Sequence, residues 1–200
     1  MEEKVMNKIY YIHGTMFSGK SLDLISTYTT YKFHGKRILV LKPAKDTRDK
    51  GVIKSRMSSI EIECDTFTDE HTLSEKVHIY MLENNFKQPD VILIDEVQFA
   101  TEKQIKELVE LSSICPIMCY GLKTTYTGDL FPSITKLMAI AEDVREVKTT
   151  CYCCNKKATY SLLVRNGQPI YEGAFVNVEG ENLNDRYFPV CREHFYKPMI

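Results

Sequence analysis

The sequence predicts an α/β fold: a parallel sheet flanked by helices, followed by a small cysteine-bearing unit. Three observations carry this reading. Apolar runs alternate with amphipathic stretches as far as Val147, and parallel strands need crossovers that helices usually supply. A glycine-rich turn, Gly14 to Ser21, falls between the first apolar run and the first amphipathic one. Beyond Val147 the alternation stops, and short β-like pieces and loops carry cysteines. The chain therefore divides into residues 1–147 and a smaller unit at 148–200.

Each element follows from its pattern. "KIYYIHG" reads as the first strand, and "SLDLISTYTTYKF" as a helix with Leu22, Ile25 and Tyr28 on one face and His34-Gly35 as its stop. "KRILVLKPA" is the next strand and "EIECDTF" a weaker one. "LSEKVHIYMLENNF" is helical, "DVILIDEVQF" an unbroken buried strand, "EKQIKELVELSS" a helix and "PIMCYGL" a strand again. The sequence shows no internal repeat and no low-complexity segment.

Composition narrows the function classes. Two hundred residues at 44% hydrophobic and 26% charged suffice for one well-buried domain with an appendage. A formal charge of −1 lacks the electrostatic footprint of duplex-binding proteins, so no nucleic-acid partner is expected. No run approaches eighteen apolar residues, and "MEEKVMNK" lacks the basic end and apolar core of a secretory signal. The expectation is a soluble, cytoplasmic protein with no membrane partner.

Gly14-Thr15-Met16-Phe17-Ser18-Gly19-Lys20-Ser21 fits the phosphate-binding (P-loop) pattern of a glycine, four free positions, then Gly-Lys-Ser. Successive backbone N–H groups wrap an anion only where side chains stay clear, which glycines permit. The following helix aims its positive end at the same place. Lys20 adds a charge for the outer phosphates, and the Ser21 hydroxyl is placed to ligate Mg²⁺ accompanying ATP. Such a loop calls for a magnesium-holding carboxylate at the end of a neighbouring buried strand, and Asp95 follows the aliphatic run of "VILID". Glu96 comes next. A carboxylate beside the metal ligand is placed to take a proton from a nucleophile, either water or a substrate hydroxyl.

The cysteines supply the third constellation. Cys151 and Cys154, and then Cys191 and His194, form two short-spaced pairs that together suit a structural tetrahedral Zn²⁺. Cys153 is an alternative to Cys151 or Cys154. The segment between the pairs is closed into a loop by a metal at its base. Cys64, Cys115 and Cys119 lie on apolar or strand-like stretches and read as packing.

In order and spacing, "GTMFSGKS", "KPAKDTR", "IDEVQF", "GLKTTYTGDLF", the two metal-binding pairs and "DRYFPVC" resemble the type II thymidine kinases across nearly the whole chain. The resemblance implies a RecA-like P-loop domain with a C-terminal zinc-bound lasso, and transfer of the γ-phosphate of ATP to the 5′-hydroxyl of thymidine. Glu96 matches the family's catalytic base, and Arg48 and Arg56 join Lys20 facing the phosphates. Gln98 falls in the ATP-binding set with Asp95. Met16, Phe99, Leu122, Tyr126 and Phe131 match positions enclosing thymine. The lasso, through Phe175, Val176, Asn177, Val178 and Glu179 and with Tyr187 near its end, covers the nucleoside. Further implications are dTTP as feedback inhibitor and a homotetramer or homodimer.

The chain departs from the family's usual pattern at Thr15, where proline is common, and at Thr125, Tyr126, Thr127, Asp129 and Leu130. These positions bear on nucleoside selectivity, and a related deoxynucleoside kinase of broader specificity is the alternative. Two readings from other classes are a RecA-like ATPase motor, disfavoured by the near-neutral charge, and a zinc-ribbon binding module. The latter leaves Lys20, Ser21, Asp95 and Glu96 without a purpose.

Overall fold

A computed structural model describes residues 6–46, 51–56, 59–173 and 184–199. Six parallel strands form its main sheet: β1 (Ile9–His13), β2 (Ile38–Pro43), β5 (Asp65–Phe67), β6 (Val91–Ile94), β7 (Ile117–Gly121) and β8 (Asp143–Glu146). Their order across the sheet is β5-β2-β6-β7-β1-β8. The central strands are apolar on both faces, as expected where helices cover both sides: all four residues of β6 are buried. One core contains Tyr11, Leu41, Ile92, Ile94, Ile105 and Leu108, and the other Ile12, Leu24, Ile25, Val40, Leu93 and Tyr120.

Helix α1 (Lys20–Phe33) starts at Gly19, whose φ of 91° is left-handed, and ends before Gly35. Its inner face includes the expected Ile25 and Tyr28 but not Leu22. Lys20, Leu24 and Ile25 are buried, whereas Leu22 is 36% exposed. The helix begins one residue earlier than the apolar pattern suggests, and the buried Lys20 sets the phase of its inner stripe. Helices α2 (Leu73–Glu83) and α3 (Glu102–Leu111) open with capping boxes, Thr72 with Glu75 and Thr101 with Gln104.

The expected single strand over Glu61–Phe67 is two. It breaks at Cys64 into β4 (Glu61–Glu63), which pairs antiparallel with β3 (Val52–Lys54), and β5 at the sheet edge. Helix α4 (Pro132–Ile140) and β8 lie in a stretch assigned no element from sequence. The reason for β8 is plain: "DVRE" on an open edge is mostly exposed and carries no apolar alternation.

The C-terminal unit is a three-stranded antiparallel sheet, ordered β10 (Gln168–Ile170), β9 (Tyr160–Arg165), β11 (Asp185–Val190), with the short α5 (Arg192–Tyr196) packed on β9 and β11. No helix among the described residues is long and apolar enough to cross a membrane.

At the opposite edge from the loops, Arg37 and Asp90 pin the starts of β2 and β6. The guanidinium donates to both Asp90 oxygens at 3.0 and 2.9 Å, and the Arg37 N–H donates to Asp90 Oδ2 at 2.8 Å. The Arg37 side chain and backbone hold the Asp90 carboxyl down at about 2. A carboxyl depressed in the folded state adds stability above its unfolded value of about 3.9 and loses it as pH falls toward 2. Asp90→Asn is therefore expected to lower the urea midpoint slightly at pH 7 and to differ less from the parent chain at pH 2.5, as read by urea titrations at both values. The pair is partly exposed, so the effect is small.

Candidate active site

The loop from Gly14 to Ser21 leaves the carboxyl end of β1 and runs into α1. Gly14 admits no side chain, because a Cβ there would sit 2.6 Å from the Val147 carbonyl oxygen. Gly19 and Phe17 both take positive φ, 91° and 61°, which turns the loop back on itself. Lys20 is buried and donates from Nζ to the Thr15 carbonyl at 2.9 Å. The hydroxyls of Thr15 and Ser18 are buried with no hydrogen-bond partner among the described residues. Buried orphan hydroxyls are costly. Beside a helix amino terminus and a buried lysine, they suit a bound phosphate chain.

Asp95 and Glu96 follow β6 at the same carboxyl edge. Asp95 is 4% exposed, and the Ser21 hydroxyl donates to its Oδ2 at 3.4 Å. Burial, and then the Glu96 charge, raise the Asp95 carboxyl above its ordinary value, so a cation at this point would be welcome. The other Asp95 oxygen accepts the Glu96 N–H at 3.0 Å. That bond accompanies a left-handed Glu96, φ 49°, uncommon for a residue with a side chain. Gln98 donates from Nε2 to Glu96 Oε2, and its Oε1 accepts the Leu122 N–H at 3.0 Å. Next to Asp95, the end of β2 carries a buried ion pair, Lys42 to Asp46 at 3.0 Å.

Around these groups lies an apolar wall. Phe99 and Phe131 meet edge to face at 6.2 Å. Tyr126 is buried with Leu163 and Tyr187, and Met16 and Ile170 pack against them. A Cβ on Gly173 would lie 2.7 Å from the Tyr126 hydroxyl, so the C-terminal unit passes directly over this tyrosine. The Arg56 guanidinium stacks on the Phe17 ring at 4.6 Å, at the outer lip of the phosphate loop. Arg48 and the stretch Phe175–Glu179 lie outside the described residues.

His13, the last residue of β1, is half-buried against Tyr11, ring centres 5.4 Å apart. Burial, with Lys123 next, pushes its imidazole down from the ordinary value and keeps it neutral at pH 7. It reads as packing rather than chemistry.

The metal-ligand pairs come together. Ligand atoms of Cys151, Cys154, Cys191 and His194 all lie within 4.8 Å of one another. His194 Nδ1 is 3.4 Å from Cys151 Sγ and 3.3 Å from Cys191 Sγ, and Cys154 Sγ is 3.9 Å from Cys191 Sγ. A tetrahedron with metal–sulfur bonds of about 2.3 Å has ligand edges of about 3.8 Å. The donors therefore fit a metal ion, and the cluster could hold one. Cys153 belongs to the apolar packing around the cluster, not to the four donors.

Ser161, unremarked in the sequence, joins the two units. Its buried Oγ accepts the Met16 N–H at 3.0 Å, tying the phosphate loop to β9. Only the register of β9 reveals this, since "TYSLLVR" gives no motif. Gly121 was equally silent: a Cβ there would meet Gln98 Oε1 at 2.5 Å.

Comparison with known proteins agrees with this geometry. A family model described as "Thymidine kinase" matches residues 7–195. A thymidine kinase of Streptococcus agalactiae serotype Ia is 35% identical over 199 residues, spanning 98% of this chain and 100% of the relative. One from Streptococcus pyogenes serotype M3 is 34% identical over 204 residues, with the same shares covered.

Proposed function

The chain belongs to the thymidine kinase family, and on that basis we propose that it transfers the γ-phosphate of ATP to the 5′-hydroxyl of thymidine, giving thymidine monophosphate. One observation carries the site-level reading. Asp95, at the carboxyl end of β6, accepts the hydroxyl of Ser21 from the Gly14–Ser21 loop, and Glu96 follows it directly with its N–H on the other Asp95 oxygen.

In this reading Gly14 to Ser21 wrap the triphosphate with backbone N–H groups, and Lys20 exchanges its Thr15 carbonyl for the outer phosphates. Ser21 and Asp95 hold Mg²⁺, which neutralises charge on the transferring phosphoryl group. Arg48 and Arg56 face the phosphates, Arg56 by swinging off Phe17. Glu96 takes the proton of the 5′-hydroxyl as that oxygen attacks phosphorus and ADP leaves. Met16, Phe99, Leu122, Tyr126, Phe131 and Tyr187 enclose the thymine, with residues 175–179 over it. Such a cover excludes water, which would otherwise compete as the nucleophile.

Residues 1–147 serve as the nucleotide-binding domain and 148–200 as the nucleoside-covering one. The four-donor cluster holds a structural Zn²⁺ through Cys151, Cys154, Cys191 and His194, since thiolate and imidazole ligands without an open position suit that metal and role. Family membership supports a cytoplasmic enzyme, a homotetramer or homodimer, with dTTP as feedback inhibitor.

The test is ATP consumption with and without thymidine, with the monophosphate measured directly. Thymidine is expected to raise turnover sharply. Equal consumption without nucleoside would mark an ATPase instead. A local check uses Gly14→Ala, whose methyl group collides with Val147 and Ser18. Overpacking costs about 1–3 kcal/mol, so the KM for ATP should rise roughly tenfold, with the thymidine KM changed far less.

A further inference from the structure

We propose that Gln98 is a positioning residue that holds the Glu96 carboxylate in its working orientation, rather than a ligand of ATP. This rests on the assignment of Glu96 as the base. Gln98 is only 4% exposed and lies on the short 3₁₀ turn Val97–Phe99. Its backbone carbonyl accepts the Ser133 hydroxyl at 2.7 Å, from the first turn of α4. Its side-chain oxygen accepts the Leu122 N–H at 3.0 Å. Leu122 is held in turn, because its carbonyl accepts the Tyr11 hydroxyl at 3.0 Å.

That chain of bonds decides which way the amide points. A carboxamide has one acceptor end and one donor end. With the acceptor end fixed on a backbone N–H, the donor end faces the other way, and it meets Glu96 Oε2. A flipped amide would set its NH₂ against the Leu122 N–H and its oxygen against a carboxylate, losing both bonds. Gly121 makes the arrangement possible, since any Cβ there would overlap the amide oxygen at 2.5 Å and approach the Gln98 backbone nitrogen at 3.3 Å. Leu122, just past β7, thus fixes the amide oxygen, Tyr11 of β1 holds Leu122, Ser133 of α4 holds the Gln98 main chain, and the amide nitrogen donates to the base.

The consequence is mechanistic. Glu96 sits on a left-handed backbone at a strand end, and the Gln98 bond adds a side-chain restraint to that turn. Fixing Oε2 sets the plane of the carboxylate before the hydroxyl arrives. Gln98 does not exchange a proton in the reaction. It donates the same hydrogen bond before and after Glu96 is protonated, and catalysis gains from a base that needs no reordering at the moment of transfer.

The experiment compares Gln98→Glu and Gln98→Met with the parent chain, using Mg-ATP and thymidine. Gln98→Glu keeps an acceptor for the Leu122 N–H but sets a carboxylate against Glu96. A purely structural role would survive it. We expect kcat to fall about 10- to 100-fold in both variants, with both KM values within about threefold. In a Glu96→Gln background, Gln98→Met should change kcat by less than about threefold, because a residue acting through the base has nothing left to position. Gly121→Ala, which fills the space of the amide oxygen, should reproduce the kcat loss if a Gln98 variant does not fold. Parent-like kcat in the folded Gln98 variants would overturn the proposal. So would a raised ATP KM with unchanged kcat, or an undiminished loss in the Glu96→Gln background. Failure of the base assignment itself is separable, since Glu96→Gln alone would then be active.

Discussion

Glu96→Gln is expected to lower kcat by about two orders of magnitude or more while ATP binding stays within about threefold. The substitution keeps the length and shape of the side chain and removes its capacity to accept a proton, a term that contributes about 10²–10⁴ in general-base catalysis. ATP affinity should persist because the phosphate contacts come from elsewhere: the loop N–H groups, Lys20 and the pair Ser21–Asp95. The backbone should persist too, since Asp95 Oδ1 holds the Glu96 N–H and not its side chain. Single-turnover measurements alongside ATP titration separate the two quantities. Full activity in this variant would show that the proton goes elsewhere.

The second large effect is expected at the metal cluster. Cys191 is buried at the junction of β11 and α5, and its Sγ is close to both His194 and Cys154. Cys191→Ser replaces a thiolate with a poor ligand for a thiophilic ion and leaves three donors. The ends of the segment from 155 to 190 then keep the strand pairing between β9 and β11, the Tyr152 and Thr159 N–H bonds to Pro189 and Val190, and the Lys156–Glu193 ion pair, but lose the metal cross-link. Thymidine affinity should fall at least tenfold, and more than ATP affinity, because the proposed nucleoside contact Tyr187 lies on β11, packed with Leu163 of β9, whereas the Gly14–Ser21 loop leads into α1. The parent chain should carry one zinc per chain by elemental analysis, and chelation should reproduce the variant. Equal loss for the two ligands would assign the cluster a global role, and a chain without zinc would remove the metal from the account.

Much of the site was legible because its chemistry is local in sequence. The phosphate loop, the Asp95–Glu96 step and the two metal pairs each lie within a few residues, and each needs particular residue types at particular spacings. The main strands were legible for the same reason: β6 and β7 are apolar runs that only a sheet covered on both faces accommodates. What escaped is what depends on register. Gln98 meets Leu122 from 24 residues away, and Ser161 meets Met16 from 145 away. Neither partner announces the other. On α1 the sequence placed Ile25 and Tyr28 inward as found but missed Lys20, because a lysine is ordinarily a surface residue. Strand β8 escaped because an edge strand has no need of apolar residues on both faces.

The most direct measurement is a crystal structure with thymidine and a non-hydrolysable ATP analogue bound together. The account predicts the 5′-oxygen of the sugar within about 3 Å of a Glu96 carboxylate oxygen, with the analogue's phosphates in the Gly14–Ser21 loop. A sugar bound with its 5′-oxygen well away from Glu96, or phosphates seated outside that loop, would contradict it.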